Sequence, residues 1–388
     1  MNIALFLEQP FDPNAGGAQR STSKLAEIYK SFGHNVVIIS TSQSPSIMSS
    51  WLGLSIYHIN IKTDHLSFKQ ILVDNNISVI INNAGESMKS TKFLLQNKGV
   101  NTKLINILRI NPTNFYDNHK DYIGFFFSKR KLSFLNNFIV RKLWLGYHVL
   151  RIRYEFNYII KNTNAFVMLS DRFKEDFYSL APGLRKYDRK IYGISNPFEC
   201  PKINIKQTLA EKENIILFVG RLVVIQKRVD LLMEIWKELH ETLPDWKFWV
   251  LGYGDQKVIM ENFCFQHKLD RITFFDKDNP NDYYKKAKLF HMTSAFEGFG
   301  NVLIEAQSYG CVPIMFNSYS SAKDIVTHDL NGILIDPFNV VAYVDETKKL
   351  INNSEKLNKM ALNAYENVDR FSYNKVYLKW KEVFDSLK

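Results

Sequence analysis

The chain has 388 residues, 46% of them hydrophobic and 23% charged, with a formal net charge of +11. That length exceeds what one core usually organises, and that composition excludes a fibrous, disordered or low-complexity protein, so two globular domains are the expectation. The positive charge calls for an anionic partner such as a phosphorylated substrate, an acidic membrane surface or nucleic acid.

From the N-terminus, short β-branched runs alternate with longer helical stretches. Ile3 to Leu7 is followed by Ala18 to Phe32, then by Val36 to Ser40, Val79 to Asn82 and Leu104 to Leu108. Residues 122–161 hold eight Lys and Arg against the single acid Glu155, so this tenth of the chain carries +7 of the +11. Leu145, Val149, Ile152, Phe156 and Ile159 recur at helical spacing and predict a face packed on the first sheet. Phe125 to Lys131 shows no such period. Its mixture of rings, Phe134 further on included, with Lys129, Arg130 and Lys131 reads as a contact with an anionic membrane or a lipid-linked acceptor.

Ser195-Asn196-Pro197 and the polar stretch Lys202 to Asn214 are read as a linker. A second series then begins: strand Ile215 to Val219, helix Arg228 to His240, strand Lys247 to Leu251, a helix near Gln256 to His267, strand Ile272 to Phe275, and strand Leu289 to Met292 leading into a helix Val302 to Tyr309. Val340 to Asn352, Glu355 to Asp369 and Tyr373 to Leu387 are three closing helices that could cross back to the first domain. Alternation of this kind implies two doubly wound α/β domains with parallel sheets, 1–195 and 196–370, and a last helix in 371–388 that returns to the first. Ligands of such sheets bind beyond the carboxyl ends of strands, in a cleft between the domains.

Three loops qualify. After Ile215 to Val219, Gly220-Arg221 leads to Lys227-Arg228 at a predicted helix start, where a bare cation is disfavoured and a bound diphosphate would reverse the sign. After Leu289 to Met292 comes Glu297-Gly298-Phe299-Gly300-Asn301, whose glycines bring backbone N–H groups close to a ligand. Glu297 and Glu305 suit vicinal hydroxyls of sugars. Near the N-terminus, Asn14-Ala15-Gly16-Gly17 opens the first helix. The full G-x-G-x-x-G spacing is absent there and at Gly252-Tyr253-Gly254, which disfavours a nicotinamide or flavin site. Cys200, Cys264 and Cys311 lack both metal-ligand and disulfide spacing, the N-terminus predicts no secretory signal, and no window predicts a membrane span. These features point to the cytoplasm, with peripheral attachment at the inner membrane face.

Phe218-Val219-Gly220-Arg221-Leu222 with Lys227, and Glu297 through Ile304-Glu305 in an E-x7-E spacing, resemble the two signature blocks of the family 4 retaining glycosyltransferases. Gly16-Gly17, Asn196-Pro197, Leu251-Gly252-Tyr253-Gly254 and Asn331-Gly332 with Asp336-Pro337 add to the resemblance. It implies a GT-B fold that needs no metal or other cofactor. Arg221 and Lys227 would neutralise the donor diphosphate, with Gly16 and Gly17 closing on the same phosphates. Glu305 would take the ribose, and Glu297 with the amides of Gly298, Phe299, Gly300 and Asn301 would take the donor sugar. The implied reaction moves a hexose from a nucleoside diphosphate, uridine before guanosine, onto a lipopolysaccharide, O-antigen or capsule glycan. Where many relatives carry a histidine, Arg109 and Asn111 are the residues at hand, and Gln19 stands where a glutamate is frequent. A sugar-nucleotide epimerase or phosphorylase and a basic nucleic-acid-binding protein are the alternatives.

Overall fold

A computed structural model describes residues 1–13, 16–41, 48–129, 131 and 136–387. Asn14, Ala15, Arg130 and Phe134, which the reading above used, lie outside the described residues. The chain divides into two compact units, 1–197 with 373–388, and 198–372.

The first unit is built on an eight-stranded sheet: β1 (Asn2–Leu7), β2 (Asn35–Thr41), β3 (Ser50–Trp51), β4 (Leu54–Ile59), β5 (Val79–Asn82), β6 (Lys103–Leu108), β7 (Ala165–Met168) and β8 (Ile191–Gly193). Their order across the sheet is β3-β4-β2-β1-β5-β6-β7-β8. Every pairing is parallel except the β3–β4 hairpin. The central strands are buried on both faces, so they read as unbroken apolar runs rather than as alternation. The four strands β3, β4, β7 and β8, which the sequence analysis did not single out, flank those that it did.

The last helix, Tyr373–Ser386, is part of this unit. It presents Val376, Trp380, Val383 and Phe384 at helical spacing to the interior. Trp380 meets Tyr29 edge-on at 5.6 Å, and Tyr377 stacks on Phe32 at 3.7 Å with the ring planes 7° apart. The preceding helices Val340–Ile351 and Ser354–Asn367 stay in the second unit, so the return to the first involves one helix rather than three.

The second unit carries six parallel strands, β9 (Glu213–Val219), β10 (Lys247–Leu251), β11 (Ile272–Phe275), β12 (Ala287–Met292), β13 (Val312–Phe316) and β14 (Ile333–Ile335). They are ordered β11-β10-β9-β12-β13-β14. The helix Val229–Thr242 buries Val229, Leu232, Met233, Ile235, Trp236 and Leu239, the i, i+3, i+4, i+7 stripe of a helix laid on a sheet. The supposed linker Lys202 to Asn214 is corrected here: it contains a helix, Ile205–Ala210, capped by the Asn204 side chain, and runs straight into β9. Leu209 of that helix packs on the core of the second unit. Its polar composition reflects a helix with one inward residue rather than irregular chain.

A second correction concerns the aromatic segment. Residues His119–Lys129 form a helix, with Ile123 and Phe127 buried one turn apart. Phe126 and Phe127 both pack edge-on against Trp144 of the long helix Phe138–Asn162. Three consecutive phenylalanines hid the period, because two of the three find a ring to pack against.

Candidate functional site

In an open parallel sheet the loops on either side of the point where strand order reverses are the ones that diverge and leave room for a ligand. In the second unit that point lies between β9 and β12, since β10 continues on one side and β13 on the other. The loops after β9 and β12 are those that carry Arg221 to Lys227 and Glu297 to Asn301.

The β9 loop leaves the sheet at Gly220. Gly252, after β10, lies so close that a Cβ on it would collide with the carbonyl oxygen of Gly220. The two loops are laced by Gly220 N–H to Leu251 O at 3.1 Å and Leu222 N–H to Tyr253 O at 2.8 Å. The Leu251-to-Gly254 motif is therefore a packing requirement of the loop beside it.

Val224–Lys227 forms one helical turn, and Arg228 adopts a left-handed conformation, φ 48°, before the next helix starts at Val229. This corrects the expectation of two bare cations at a helix start. Lys227 closes the preceding turn, where the carbonyl end favours a cation. Arg228 turns aside to Asp230 at 2.9 Å and lies 5.0 Å from the centre of the Phe338 ring. Two cations thus remain for the strand end, Arg221 and Lys227.

Lys227 Nζ lies 2.6 Å from Glu297 Oε1, both side chains being only about a tenth exposed, at 10% and 12%. Gln226 bridges the rest. Its Oε1 accepts from the Arg221 guanidinium at 2.7 Å, and its Nε2 donates to Glu297 Oε2 at 3.3 Å. The backbones are stitched as well: Ala295 N–H donates to Gln226 O at 2.8 Å, and the Thr293 hydroxyl to Lys227 O at 2.7 Å. Arg221, Gln226, Lys227 and Glu297 form one hydrogen-bonded array across the switch point.

Gly300, at φ 105°, is the cap of the helix Asn301–Gln307, which begins and ends earlier than the expected Val302 to Tyr309. A Cβ on Gly300 would come 3.2 Å from both the Leu303 side chain and the Tyr319 hydroxyl. Gly298 and Asn301 border this turn. The Phe299 side chain is buried edge-on against Phe371, which leaves its backbone amide as the group it can offer a ligand. Glu305 Oε2 accepts from the Tyr284 hydroxyl at 3.2 Å. Tyr319 is wholly buried, and burial together with the Glu297 carboxylate raises its phenol well above the ordinary range, so it stays protonated as a donor.

Gln226 and Tyr319 are the site residues that sequence reasoning missed. Gln226 sits beside Lys227 within a singled-out segment, and Tyr319 lies in the loop after β13, so strand-end position was the available signal for both. Asn331 has a structural part: its Oδ1 accepts from Thr327 N–H at 2.7 Å and its Nδ2 donates to Ile325 O at 3.1 Å, which holds a turn.

In the first unit, Gly16 is extended and Gly17, at φ 40°, begins the helix Gly17–Ser31. Among the described residues, no heavy atom beyond the chain neighbours lies within 4 Å of where a Cβ on either would stand. Gln19 Oε1 accepts from Asp12 N–H at 2.6 Å, which folds the loop back on the helix. Arg109, after β6, is clamped by Asn83 Oδ1 and, at 3.1 Å, by Asn196 Oδ1, and desolvation pulls its pKa down to about 10 while leaving it charged at neutral pH. Asn111 Oδ1 caps the next turn through Thr113 N–H and Oγ1, each at 2.9 Å.

Residues 201–367 match the family Glycosyl transferases group 1. An uncharacterized glycosyltransferase of Haemophilus influenzae is 29% identical over 196 residues, 50% of this chain and 54% of the relative. The 2-deoxystreptamine N-acetyl-D-glucosaminyltransferase of Niallia circulans is 31% identical over 198 residues, 50% of each protein. The matched stretch thus spans about half the length of these curated relatives. Among solved structures, S. aureus TarM in complex with fondaparinux, alpha-GlcNAc-glycerol and UDP superposes with a TM-score of 0.73 at 15% identity, covering 99% of this chain and 100% of TarM. The signature loops of the second unit fall inside the segment that matches glycosyl transferases group 1, and the chain has the GT-B fold.

Proposed function

We propose that the protein is a retaining glycosyltransferase that moves a hexose from a nucleoside diphosphate sugar, UDP rather than GDP, onto a bacterial surface glycan. The observation that carries the reading is the array of Arg221, Gln226, Lys227 and Glu297 at the switch point of the second sheet. Breaking the bond from the anomeric carbon to the diphosphate leaves negative charge on a phosphate oxygen. Cations fixed in place stabilise that charge as it develops and need no reorganisation to do so. The ammonium of Lys227 has three donors, so it can hold Glu297 and still meet a phosphate oxygen.

Glu297, oriented by Lys227 and Gln226, takes hydroxyls of the donor sugar together with the backbone amides of Gly298, Phe299, Gly300 and Asn301. Glu305 takes the ribose. Gly16 and Gly17 of the first unit leave their backbone open to a phosphate. Attack by the acceptor hydroxyl on the face the diphosphate leaves would retain configuration, with the departing phosphate oxygen taking the hydroxyl proton. Arg221 and Lys227 supply the charge that a metal would otherwise bring, so the reading includes no metal ion or other cofactor. The UDP in the TarM complex supports a uridine donor, and the N-acetylglucosaminyl group in the name of the Niallia circulans enzyme supports transfer of a hexose-type sugar. The acceptor proposed here is a lipid-linked glycan such as a lipopolysaccharide, O-antigen or capsule precursor, met at the inner face of the plasma membrane.

Isothermal titration with UDP, GDP and a panel of UDP-hexoses and UDP-N-acetylhexosamines tests the donor half. The expected result is binding of UDP-sugars that weakens in Arg221→Ala. Absence of heat with every sugar nucleotide would overturn the reading, and release of a 2-epimer or of free sugar phosphate would move it to an epimerase or phosphorylase.

A further inference from the structure

The long helix Phe138–Asn162 has two apolar faces. The one that the sequence announced runs inward: Phe156 and Ile159 are buried, with Ile160 beside them, and Leu145, Val149 and Ile152 are half-buried along the same side. Phe156 packs edge-on against Phe166 of β7 and Phe177. A second stripe has no core to enter. Ile139, Leu143, Tyr147, Leu150 and Tyr154 are each between 62% and 70% exposed. Successive residues of a helix turn by about 100°, which places these five within an arc of roughly 80° on the side opposite the buried face. Phe138, at the helix start, and Phe125, of the neighbouring helix, are exposed as well, but Phe138 lies outside this arc.

Cations border the stripe. On the same wheel Arg153, whose Nε donates to Leu180 O at 2.6 Å, falls along one edge with Lys142 further round, and Arg151, paired with Glu155 at 2.9 Å, falls along the other, while Lys161 ends the helix on the stripe itself; all four are exposed enough to keep donors facing outward. Five Lys and Arg against Glu155 leave the helix at +4. Behind the stripe, Trp144 and His148, stacked 5.9 Å apart with the planes 6° from parallel, wall a recess of about 670 Å³ with Phe115, Phe126 and Lys129. Among the described residues no helix is long and apolar enough to cross a membrane.

We propose that this outward face docks on an anionic lipid bilayer, with the helix lying in the plane of the interface. An exposed apolar stripe with cations on either side matches the depth profile of such a surface: acyl chains accept the aliphatic and ring carbons, and lipid phosphates accept the flanking charges. A second copy of this chain fits poorly, because pairing the face with itself sets +4 against +4. Nucleic acid offers phosphates for the cations and bases to stack on Tyr147 and Tyr154, but nothing for Ile139, Leu143 and Leu150 between them. The docking element is therefore this helix, not the Phe125 to Lys131 stretch that composition alone suggested. The inference draws on the acceptor reading above for which membrane is met; the surface itself is argued independently of the donor chemistry.

Flotation of the full chain with vesicles of phosphatidylcholine alone and of phosphatidylcholine with 30% phosphatidylglycerol tests it. Binding is expected to the second composition only and to fall at least tenfold between 50 and 500 mM salt, as a screened electrostatic attraction must, on the order of the change expected when the Debye length shrinks to a few ångströms. Leu143→Glu with Leu150→Glu should lower the partition coefficient at least tenfold while UDP-sugar titration and the melting temperature stay as in the wild type. Equal binding to both vesicles, or no loss in the double variant, overturns the proposal. So does a wild-type dimer that the double variant dissolves without any lipid binding. A readout on a conservative variant guards against misfolding: brominated phosphatidylglycerol should quench the fluorescence of Tyr147→Trp, whose added indole sits on the stripe, more than that of the wild type, and equal quenching counts against the helix as the docking element.

Discussion

The array at the end of β9 and the outer face of the helix Phe138–Asn162 are both rich in cations, yet they satisfy them in opposite ways. In the first, Lys227 is nearly buried against Glu297 and Gln226 ties in Arg221, so charge is held by protein partners in fixed geometry. In the second, Lys142 and Arg153 on one side and Arg151 on the other are exposed along the arc that carries exposed aliphatic carbon. The cations at the sheet's switch point are placed by two loops at once, whereas on the helix surface Arg151 is paired within its own helix, with Glu155, and Arg153 makes a single bond to Leu180 O. The contrast separates a preorganised site from a surface whose partner is extended and soft.

The sharpest test of that contrast lies inside the array. Arg221→Ala and Lys227→Ala should each lower turnover by about 100-fold or more, the usual loss when a positioned charge donor is removed. Equal activity in both variants and the wild type would break the comparison. Their stabilities should differ. Arg221 is exposed, and its loss should change stability by less than about 0.5 kcal/mol. Lys227→Ala strands the Glu297 carboxylate with little solvent, at a cost of about 3 kcal/mol in urea denaturation.

The glycines give a graded series. Gly252→Ala should prevent folding of the second unit or lower its melting temperature most, because the new Cβ meets backbone that cannot step aside. Gly300→Ala meets side chains at 3.2 Å and a φ of 105° that alanine does not adopt, so its melting loss should be next. Gly17→Ala should cost only about 1 kcal/mol, since nothing surrounds it and φ 40° is the sole strain. A reversal of that order would mean that the Gly16-Gly17 turn is packed in solution.

The last effect concerns pH and is seen only in acid. His291 on β12 is wholly buried between the Phe248 and Tyr343 rings, its Nε2 has no hydrogen-bond partner among the described residues, and desolvation lowers its pKa from 6.5 to about 3. The unfolded chain therefore takes up a proton that the folded one refuses. The contribution is complete above pH 6.5 and is lost as pH falls toward 3. His291→Leu should flatten the acid limb of the stability profile by about 1 kcal/mol per pH unit in that window, while the profile of UDP-sugar binding above pH 6.5 stays unchanged. An unaltered acid limb would show that His291 is hydrated.

Much of the fold was legible because parallel strands buried on both faces must be apolar throughout, and β1, β2, β5, β6, β9, β10 and β11 each announced themselves within a residue or two. Of the missed strands, β3 and β8 are short edge elements, where neither period nor length distinguishes a strand from a loop, while β4 and β13 are internal strands of six and five residues. Of the site, Arg221, Lys227, Glu297 and Glu305 stood out by residue type after a strand. Gln226 did not, because a glutamine carries no charge and its value lies in facing two ionised neighbours at once. The same limit hid the outer stripe of Phe138–Asn162: Ile139, Leu143, Tyr147, Leu150 and Tyr154 have helical spacing just as the inward set has, and a periodicity cannot say which of two apolar faces meets the sheet.

By itself the sequence determined the α/β alternation, the strand-end loops that hold charge and glycine, and the resemblance carried by its motifs, since these depend on residues near one another in the chain. Only the tertiary structure decided that Lys227 faces Glu297 rather than standing at a helix start, that Arg228 turns away to Asp230, and which side of the longest helix is left outside. Those outcomes hang on strand order and on what packs against what, and a pairing between residues seventy positions apart leaves no periodic trace.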